Sequence, residues 1–287
     1  MEQLRGKKFV ILLHEHAKFI KPDFTLHLLI EEWRAWGVEI KVLNGTNRFV
    51  KADAVILHIN LTVVPEVYLR FAERYPVAIN GKVADISKRR VSANLIDRFD
   101  DYDGPVVVKT NLNYGGVPEL NVATLSSPIG RLKRLAKRSL PLRWSGYLDP
   151  KHYPIHESKS DVADWIWKDS RLVVEKFLPE LVDNHYCLRQ WYFLGDQGSN
   201  NLGLSKNPIV KGADIIKYEP VANIPEELFS IRRELNFDYG KFDYAIVDGK
   251  AILYDANKTP TYNTGTGLEQ AKTNAAIMAK GITAFVS

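Results

Sequence analysis

Residues 242–260, FDYAIVDGKAILYDANKTP, contain three side chains whose oxygen atoms could coordinate a metal, and their positions are unusual for such groups. Asp243 lies near the start of one apolar run, Asp255 ends the next run, and Asn257 follows two residues later. A carboxylate inside an otherwise apolar strand is costly to bury unless it is paired or binds a metal. Carboxylate and amide oxygens suit Mg²⁺, which keeps some waters and is also coordinated by substrate phosphates. The three residues therefore predict a magnesium site at which phosphate groups would bind.

The two apolar runs are joined by Asp248-Gly249, a dipeptide that strongly favours a tight hairpin turn. The sequence thus predicts two antiparallel strands that bring the three oxygen ligands to one end of the hairpin. A hairpin with two solvated aspartates and an Asn-Lys-Thr-Pro turn would show the same pattern. The hairpin alone does not decide between these two interpretations.

The ending D…D-x-N-x-T-P resembles the metal-binding segment of the ATP-grasp superfamily. These carboxylate–amine ligases include D-alanine–D-alanine ligase, glutathione synthetase and ribosomal-protein glutamate ligases. Asp255 stands where Glu is commoner, so one ligand arm is a methylene shorter. The resemblance implies ATP and Mg²⁺, or Mn²⁺, as cofactors. It also implies a catalytic role for Lys241, which stands just before Asp243, where relatives often carry an arginine that stabilises transition-state charge.

A second candidate site lies in residues 104–120, GPVVVKTNLNYGGVPEL, where three valines lead into Lys109. A lysine that emerges from a buried strand needs an anionic partner, and a phosphate would supply one. The turn that contains Asn113, Gly115 and Gly116 could bring backbone N–H groups close to phosphate oxygens. The spacing is not that of a Walker loop. It resembles the ATP-grasp small-lobe hairpin, whose glycine loop closes over the triphosphate.

Residues 172–183 resemble the ATP-grasp hinge between lobes. There the backbone of the two middle residues hydrogen-bonds the adenine edge, and flanking apolar side chains pack on the ring. The hinge residues implied are Glu175, Lys176, Phe177 and Leu178. The resemblance also requires an acid for the ribose hydroxyls, and the sequence does not choose between Glu180 and Asp183.

Three further positions gain a role from the resemblance. Lys88, in a predicted basic helix over residues 85–96, would contact the α-phosphate side of ATP. Arg189 matches an arginine near the acyl-phosphate site of many relatives, although a charged residue in a strand is also typical of a cross-strand ion pair. Lys206 or Lys211 could supply another phosphate contact.

The composition is that of an ordinary globular chain. Of 287 residues, 45% are hydrophobic and 25% charged, and no apolar run approaches the ~18 residues of a membrane span. The net charge of +5 favours anionic ligands without indicating a nucleic-acid binder. Cys187 is the single cysteine, which excludes an internal disulfide and agrees with a reducing cytosol. We therefore expect a cytoplasmic protein.

The secondary-structure pattern predicts an α/β chain. Strands over 8–13, 38–43, 54–59 and 76–80 alternate with helices over 24–36 and 64–75. This order indicates a small open α/β lobe. With the resemblance, we expect an ATP-grasp fold in which an N-terminal α/β lobe precedes two α+β lobes that clasp ATP. The expected boundaries are 1–82, 83–174 and 175–287.

Residues 126–170 predict an insertion in the small lobe. Within it, residues 131–143, RLKRLAKRSLPLR, carry six basic residues and read as a basic amphipathic helix. Such a helix could meet an anionic substrate, a partner or a membrane surface. A solvated basic face with its leucines packed inward is the commoner outcome.

The resemblance implies an ATP-dependent ligase. A small-molecule carboxylate would attack the γ-phosphate of ATP, and an amine, or a thiol, would capture the acyl phosphate, releasing ADP and phosphate. Two alternatives stay open: a kinase on the same scaffold that phosphorylates a hydroxyl, and a nucleotide-binding module without turnover. A ligase needs both an acid and an amine for ADP release, whereas a kinase needs one alcohol.

Overall fold

A computed structural model describes residues 2–17, 20, 22–126, 139–262 and 268–286. These residues form three β-sheets with helices packed on them, which confirms the predicted mixture of α/β and α+β lobes. Among the described residues, no helix combines the length and the apolar character needed to cross a membrane.

The N-terminal sheet is parallel and has the strand order β2-β1-β3-β4. Alternate residues of its central strand β1 pack against helix α1 on one face and helix α2 on the other. Because both faces are covered, the strand is a continuous apolar run. The elements are β1 Lys8–Leu13, α1 Thr25–Ala35, β2 Glu39–Asn44, β3 Ala54–His58, α2 Glu66–Ala72 and β4 Val77–Ile79.

The small lobe is an antiparallel sheet in the order β6-β5-β7. Its strands are β5 Val106–Thr110, β6 Ile155–His156 and β7 Leu172–Lys176. The expected boundary at residue 174 therefore falls inside β7. Strand β6 comes from the segment predicted as an insertion, together with helices α5 Leu142–Ser145 and α6 Asp164–Lys168. Most of the predicted basic helix over 131–143 lies outside the described residues.

The large lobe is an antiparallel sheet in the order β11-β10-β9-β12-β13, with β8 paired to β9. Helix α7 Glu226–Glu234 covers one face, and helix α8 Leu268–Ala279 lies between the other face and α1. The strands are β8 Glu180–Val182, β9 His185–Leu194, β10 Gln197–Ser205, β11 Ile215–Pro220, β12 Tyr239–Val247 and β13 Lys250–Asn257.

The helix predicted over residues 85–96 is much shorter than expected. Only α3, Lys88–Val91, is helical. The following residues run extended beside β7: the Ile96 N–H donates to the Val174 carbonyl at 3.1 Å, and the Lys176 N–H donates to the Asn94 carbonyl at 2.8 Å. Pairing with a strand thus ends the helix early.

The hairpin expected at Gly115-Gly116 was wrong. Tyr114, Gly115 and Gly116 have φ values of 46°, 65° and 73°, and helix α4 Val117–Ser126 begins directly after them. Three successive residues with positive φ turn the chain sharply, which glycine tolerates and other residues rarely do. Strand β5 instead pairs with β6 and β7, both distant in sequence.

Candidate active site

The hairpin of β12 and β13 places the predicted metal ligands on one face. Asp243 lies directly opposite Asp255, and Lys241 lies directly opposite Asn257. Directly opposed residues of antiparallel strands point to the same side, and so do residues two apart along one strand. The turn residues Asp248 and Gly249 have φ of 51° and 75°, as a type I′ turn requires. The predicted hairpin is confirmed.

Each aspartate of this hairpin is paired with a lysine. Lys241 Nζ lies 2.9 Å from Asp243 Oδ1, and Gln190 Nε2 donates to the same oxygen at 3.2 Å. Lys88 Nζ, brought by helix α3, donates to Asp255 Oδ1. Both lysines contact Oδ1, so the Oδ2 atoms take no ion pair from the described residues.

Lys88 is a buried cation and Lys241 a largely buried one, and these carboxylates hold both. Burial alone would lower the pKa of Lys88, but the charges of Asp255 and Glu175 outweigh it and raise that pKa. Burial likewise opposes the charged form of Lys241, and the Asp243 carboxylate reverses the effect and raises the pKa of Lys241. Both lysines therefore stay protonated at neutral pH, where they can face phosphate or carboxylate oxygens.

Lys109 has a protein partner, contrary to the expectation that it waits for a phosphate. Its Nζ lies 2.6 Å from Glu175 Oε2 across the β5–β7 pair. Glu175 is only 1% exposed, so its carboxylate is buried by this contact. Glu175, which was predicted to belong to the adenine hinge, thus holds the side chain of Lys109 in place.

Lys211 joins the same cluster from the loop between β10 and β11. Burial, and then the charge of Lys109, lower the pKa of Lys211 to about 8. The Lys88 cation acts in the same direction, while Asp255 and Asp243 oppose it. Lysines that repel each other in this way form a site that an anion would stabilise.

These charged groups line a cleft of about 850 Å³, counted to its open mouth, between the small and large sheets. Its charged lining comprises Lys88, Lys109, Lys176, Lys211, Asp243 and Asp255. Its apolar and aromatic lining includes Val107, Tyr153, Phe177, Leu178, Ile209 and Tyr254. A volume of this order, with charge at one part and apolar walls at another, is typical of a ligand site.

The hinge residues Phe177 and Leu178 line the cleft, but the backbone partners differ from the prediction. The N–H of Lys176 donates to the Asn94 carbonyl and that of Phe177 to the Pro105 carbonyl, both at 2.8 Å. The N–H groups of the two middle residues are therefore already used. Leu178 N–H has no acceptor among the described residues, and the Leu178 carbonyl accepts from the Tyr254 hydroxyl.

The glycine turn packs against the N-terminal lobe. The Asn113 N–H donates to Thr62 Oγ1 at 2.9 Å, and a Cβ atom on Gly115 would come within 2.9 Å of the Leu148 carbonyl oxygen. Gly116 is buried as well. From this turn it is Tyr114 that lines the cleft, so the structure does not bring the predicted glycines to it.

Arg189 is held away from the cleft by Glu180. The guanidinium contacts both carboxylate oxygens, with Nε 2.9 Å from Oε2 and Nη2 2.7 Å from Oε1, and the Ile246 N–H donates to Oε2 at 2.8 Å. Arg189 alternates along β9 with Gln190, which reaches Asp243, so it shares the opposite face with buried Trp191.

The two candidate acids for the ribose hydroxyls are Glu180 and Asp183. Glu180 is buried and already engaged by Arg189. Asp183 lies in the exposed turn between β8 and β9, with φ of 48°. Neither carboxylate is among the residues that line the cleft.

Arg189→Met should destabilise the fold and leave nucleotide affinity nearly unchanged. Removing one partner of a buried ion pair costs about 3 kcal/mol, because the other charge stays buried. Urea denaturation should show this loss, and Arg189→Met/Glu180→Gln should recover part of it. A variant of normal stability that had lost turnover would instead support the predicted catalytic role.

The donor set fits a magnesium ion shared with phosphates. The described residues contain no cluster of three or more His, Cys, Asp and Glu side chains that could hold a metal. Asp243, Asp255 and Asn257 offer two carboxylates and one amide on one face, a set that leaves room for waters and phosphate oxygens. The Thr259 N–H donates to Asn257 Oδ1 at 2.9 Å and so fixes the orientation of that amide.

Lys258 is a buried lysine that the sequence analysis missed. It is 2% exposed, its Nζ lies 3.2 Å from the Thr62 carbonyl, and burial lowers its pKa to about 7. The charges of Glu119 and Asp85 act in the opposite direction. The sequence shows Lys258 only as part of a polar turn, because its neighbours come from three distant segments.

The sequence matches no protein-family model and no curated protein. Solved structures nevertheless share its architecture. A RimK domain ATP-grasp protein from Sphaerobacter thermophilus is 13% identical, with a TM-score of 0.51 over 96% of this chain and 99% of that one. The ATP-grasp ligase PsnB, complexed with a precursor peptide and AMPPNP, is 15% identical, with a TM-score of 0.50 over 93% and 98% of the two chains.

The small and large sheets enclose a cleft lined by lysines and aspartates, and the N-terminal sheet packs beside them. The structural similarities show that this chain has the ATP-grasp fold. The fold predicted from the sequence resemblance is thereby confirmed.

Proposed function

We propose that the protein is an ATP-dependent ligase that activates a carboxylate as an acyl phosphate and joins it to an amine. The observation that carries the proposal is the cleft itself, where Lys88, Lys109 and Lys211 surround Asp243 and Asp255 within an ATP-grasp fold. With Lys241 and Glu175, which pair with members of this cluster, five lysines stand against three carboxylates. A polyphosphate would supply the missing negative charge.

The nucleotide would lie along the cleft with its phosphates at the lysine cluster. Lys88, Lys109 and Lys211 would neutralise phosphate charge, each from a different segment of the chain. At the other part of the cleft, Phe177 and Leu178 offer apolar surface for a purine ring, and the Leu178 N–H offers a hydrogen-bond donor. This assignment moves the adenine contact one residue beyond the two predicted from the sequence.

Asp243, Asp255 and Asn257 are the residues that would hold Mg²⁺. Bound magnesium would neutralise phosphate charge and orient the β- and γ-phosphates. In the protein itself Lys88 and Lys241 contact the Oδ1 atoms, so these lysines hold both aspartates in position. The two Oδ2 atoms are left for a cation.

Lys241 would act on the substrate carboxylate. In the first step a carboxylate oxygen forms a bond to the γ-phosphorus, and the bond to the bridging β–γ oxygen breaks, releasing ADP. In the second step the amine nitrogen attacks the acyl carbon, phosphate leaves, and the nitrogen loses a proton. Lys241 is buried, protonated and anchored by Asp243, so it can stabilise the charge that accumulates on these oxygens.

The proposal is tested by thermal shift and ADP release. Millimolar Mg·ATP should raise the melting temperature of the wild type, and Asp255→Ala and Lys109→Ala should each reduce that rise. ADP release should then require both an acid and an amine. Release with an alcohol alone would indicate a kinase, and the absence of any thermal shift would contradict the nucleotide site altogether.

ATP affinity should fall at alkaline pH through Lys211. Its pKa of about 8 means that the free protein loses this charge as pH rises through 8, whereas bound phosphates favour the protonated form. We expect binding to weaken roughly tenfold between pH 7.5 and 9.5, beyond the range in which ATP itself titrates. Calorimetric titration across this range should show the loss. Lys211→Met should bind more weakly at pH 7.5 and show a flat pH dependence, and a flat profile in the wild type would contradict the assignment.

A further inference from the structure

A second cavity of about 880 Å³, counted to its mouth, lies on the face of the large sheet that carries Asp243. Strands β9, β10 and β11 form its floor, and helices α1 and α8 form its roof. It shares no lining residue with the lysine-lined cleft. No sequence motif pointed to it, because its lining comes from four distant parts of the chain.

The cavity continues the row of residues that contains the predicted metal ligands. Asp255 lies opposite Asp243 across β13 and β12, Asp243 lies opposite Gln190 on β9, and Gln190 lies opposite Asn201 on β10. Gln190 and Asn201 line the cavity, and Gln190 Nε2 contacts Asp243 Oδ1 at 3.2 Å. The cavity therefore begins one strand away from the site of the proposed chemistry.

The neighbouring row leads from Lys241 into the same cavity. Lys241 lies opposite Tyr192, and its Nζ is 5.6 Å from the centroid of the Tyr192 ring, which lines the cavity. A carboxylate held at Lys241 could thus extend its attached group over the Tyr192 ring. This geometry connects the cavity to the acid of the proposed reaction.

The lining of the cavity is uncharged, in contrast to the cleft. Among the described residues it contains no Asp, Glu, Lys, Arg or His, whereas four lysines and two aspartates line the cleft. Its polar groups are amides and hydroxyls, and Leu28 and Met278 add apolar surface. A charged group placed there would lose its hydration without gaining an ionic partner.

Two buried hydroxyls at the cavity have no hydrogen-bond partner among the described residues. They are Thr25 Oγ1, from α1, and Ser199 Oγ, from β10. Thr25 is 5% exposed, so water does not readily replace a partner. Buried hydroxyls are normally satisfied, and because neither oxygen is exposed, its side chain must turn toward the cavity before an uncharged polar group can bind it.

We infer that this cavity holds the body of the substrate acid and selects an uncharged body. The inference rests on the proposed ligase function, since that function places the carboxylate of the acid at Lys241. Tyr192 and Met278 contact its apolar part, and the amides of the lining bind its neutral polar substituents. Acids with a second charge at the far end are excluded.

Binding of three matched acids tests this specificity. The probes are 3-phenylpropanoate and its para-carboxy and para-aminomethyl derivatives, titrated by calorimetry into the full chain saturated with Mg²⁺ and AMPPNP. We expect the uncharged ring to bind at least tenfold more tightly than either charged derivative. Asn274→Asp places a carboxylate on the cavity wall. The new carboxylate can still accept the hydrogen bond that Gln270 Nε2 donates to Asn274 Oδ1, at 3.0 Å, in the wild type.

The variants decide whether the cavity is responsible. Asn274→Asp should weaken 3-phenylpropanoate and strengthen the aminomethyl derivative, whereas Thr273→Asp, on the exposed face of the same helix, should change neither. Equal binding of charged and uncharged acids, no binding of any acid, or no response to Asn274→Asp would each overturn the inference. If AMPPNP itself fails to bind, the proposed ligase function fails, and the inference with it.

Discussion

Replacing Asp255 by Asn should lower Mg²⁺-dependent turnover at least about 100-fold, because it removes one of the two carboxylates that would hold the cation. The same substitution removes the partner of buried Lys88, whose pKa should fall toward the value that burial alone would give. Stability should therefore drop as well, by about 2 kcal/mol. Initial rates of ADP release across a Mg²⁺ titration, together with urea denaturation, separate the two effects.

Asp255→Glu is the matched control for this prediction. This substitution keeps the charge and adds one methylene. It restores the glutamate that is commoner at this position of the ATP-grasp motif. The pair with Lys88 should survive, and the Mg²⁺ dependence should persist with a shifted midpoint. If Asp255→Asn kept the Mg²⁺ dependence of the wild type, Asp255 would be only a partner of Lys88 and the metal site would lie elsewhere.

The hairpin around Asp243 and Asp255 shows what sequence can predict about this site. Asp248-Gly249 specifies a two-residue turn, which sets the pairing of the strands as far as Tyr244 and Leu253. A bulge at Tyr254, which the sequence did not indicate, then shifts the register by one residue and places the aspartates opposite each other. The apolar runs of β1 and β3 are equally local signals, and both strands formed within one residue of the predicted bounds. The sequence is sufficient to predict an element whose geometry is determined by a few adjacent residues.

Partners that come together in tertiary structure could not be predicted in this way. Lys88 and Asp255 are 167 residues apart, and Lys109 and Glu175 are 66 apart. The sequence indicated that Lys109 needs an anion, and the resemblance assigned Lys88 to a phosphate, but neither showed that a protein carboxylate pairs with each lysine. The same limit explains the glycine turn, because the contact of Asn113 with Thr62 depends on how the lobes dock.

Arg189 illustrates how a resemblance and a strand pattern can point to different roles. The motif position implied a catalytic arginine, whereas the alternation of β9 puts Arg189 on the face opposite Gln190. A shift of one residue along a strand moves a side chain to the other side of the sheet. Gln190, which the sequence analysis did not single out, is the β9 residue that reaches the carboxylate of Asp243.

Lys109→Met should weaken ATP binding by roughly 10- to 100-fold, as expected for the loss of one charged hydrogen-bond donor to phosphate. It should also reduce stability by about 3 kcal/mol, because Glu175 is left buried without its cation. Calorimetry with Mg·ATP measures the first effect and urea denaturation the second. Lys168→Met, which removes the same charge from an exposed position of the small lobe, should change neither.

The double variant Lys109→Met/Glu175→Gln distinguishes a binding role from a structural one. Removing both charges relieves the uncompensated carboxylate, so stability should return most of the way to that of the wild type. ATP affinity should stay low, because the donor to phosphate is still missing. If affinity returned together with stability, the cation of Lys109 would serve only to neutralise Glu175, and the lysine cluster that carries the proposed function would lose its central member.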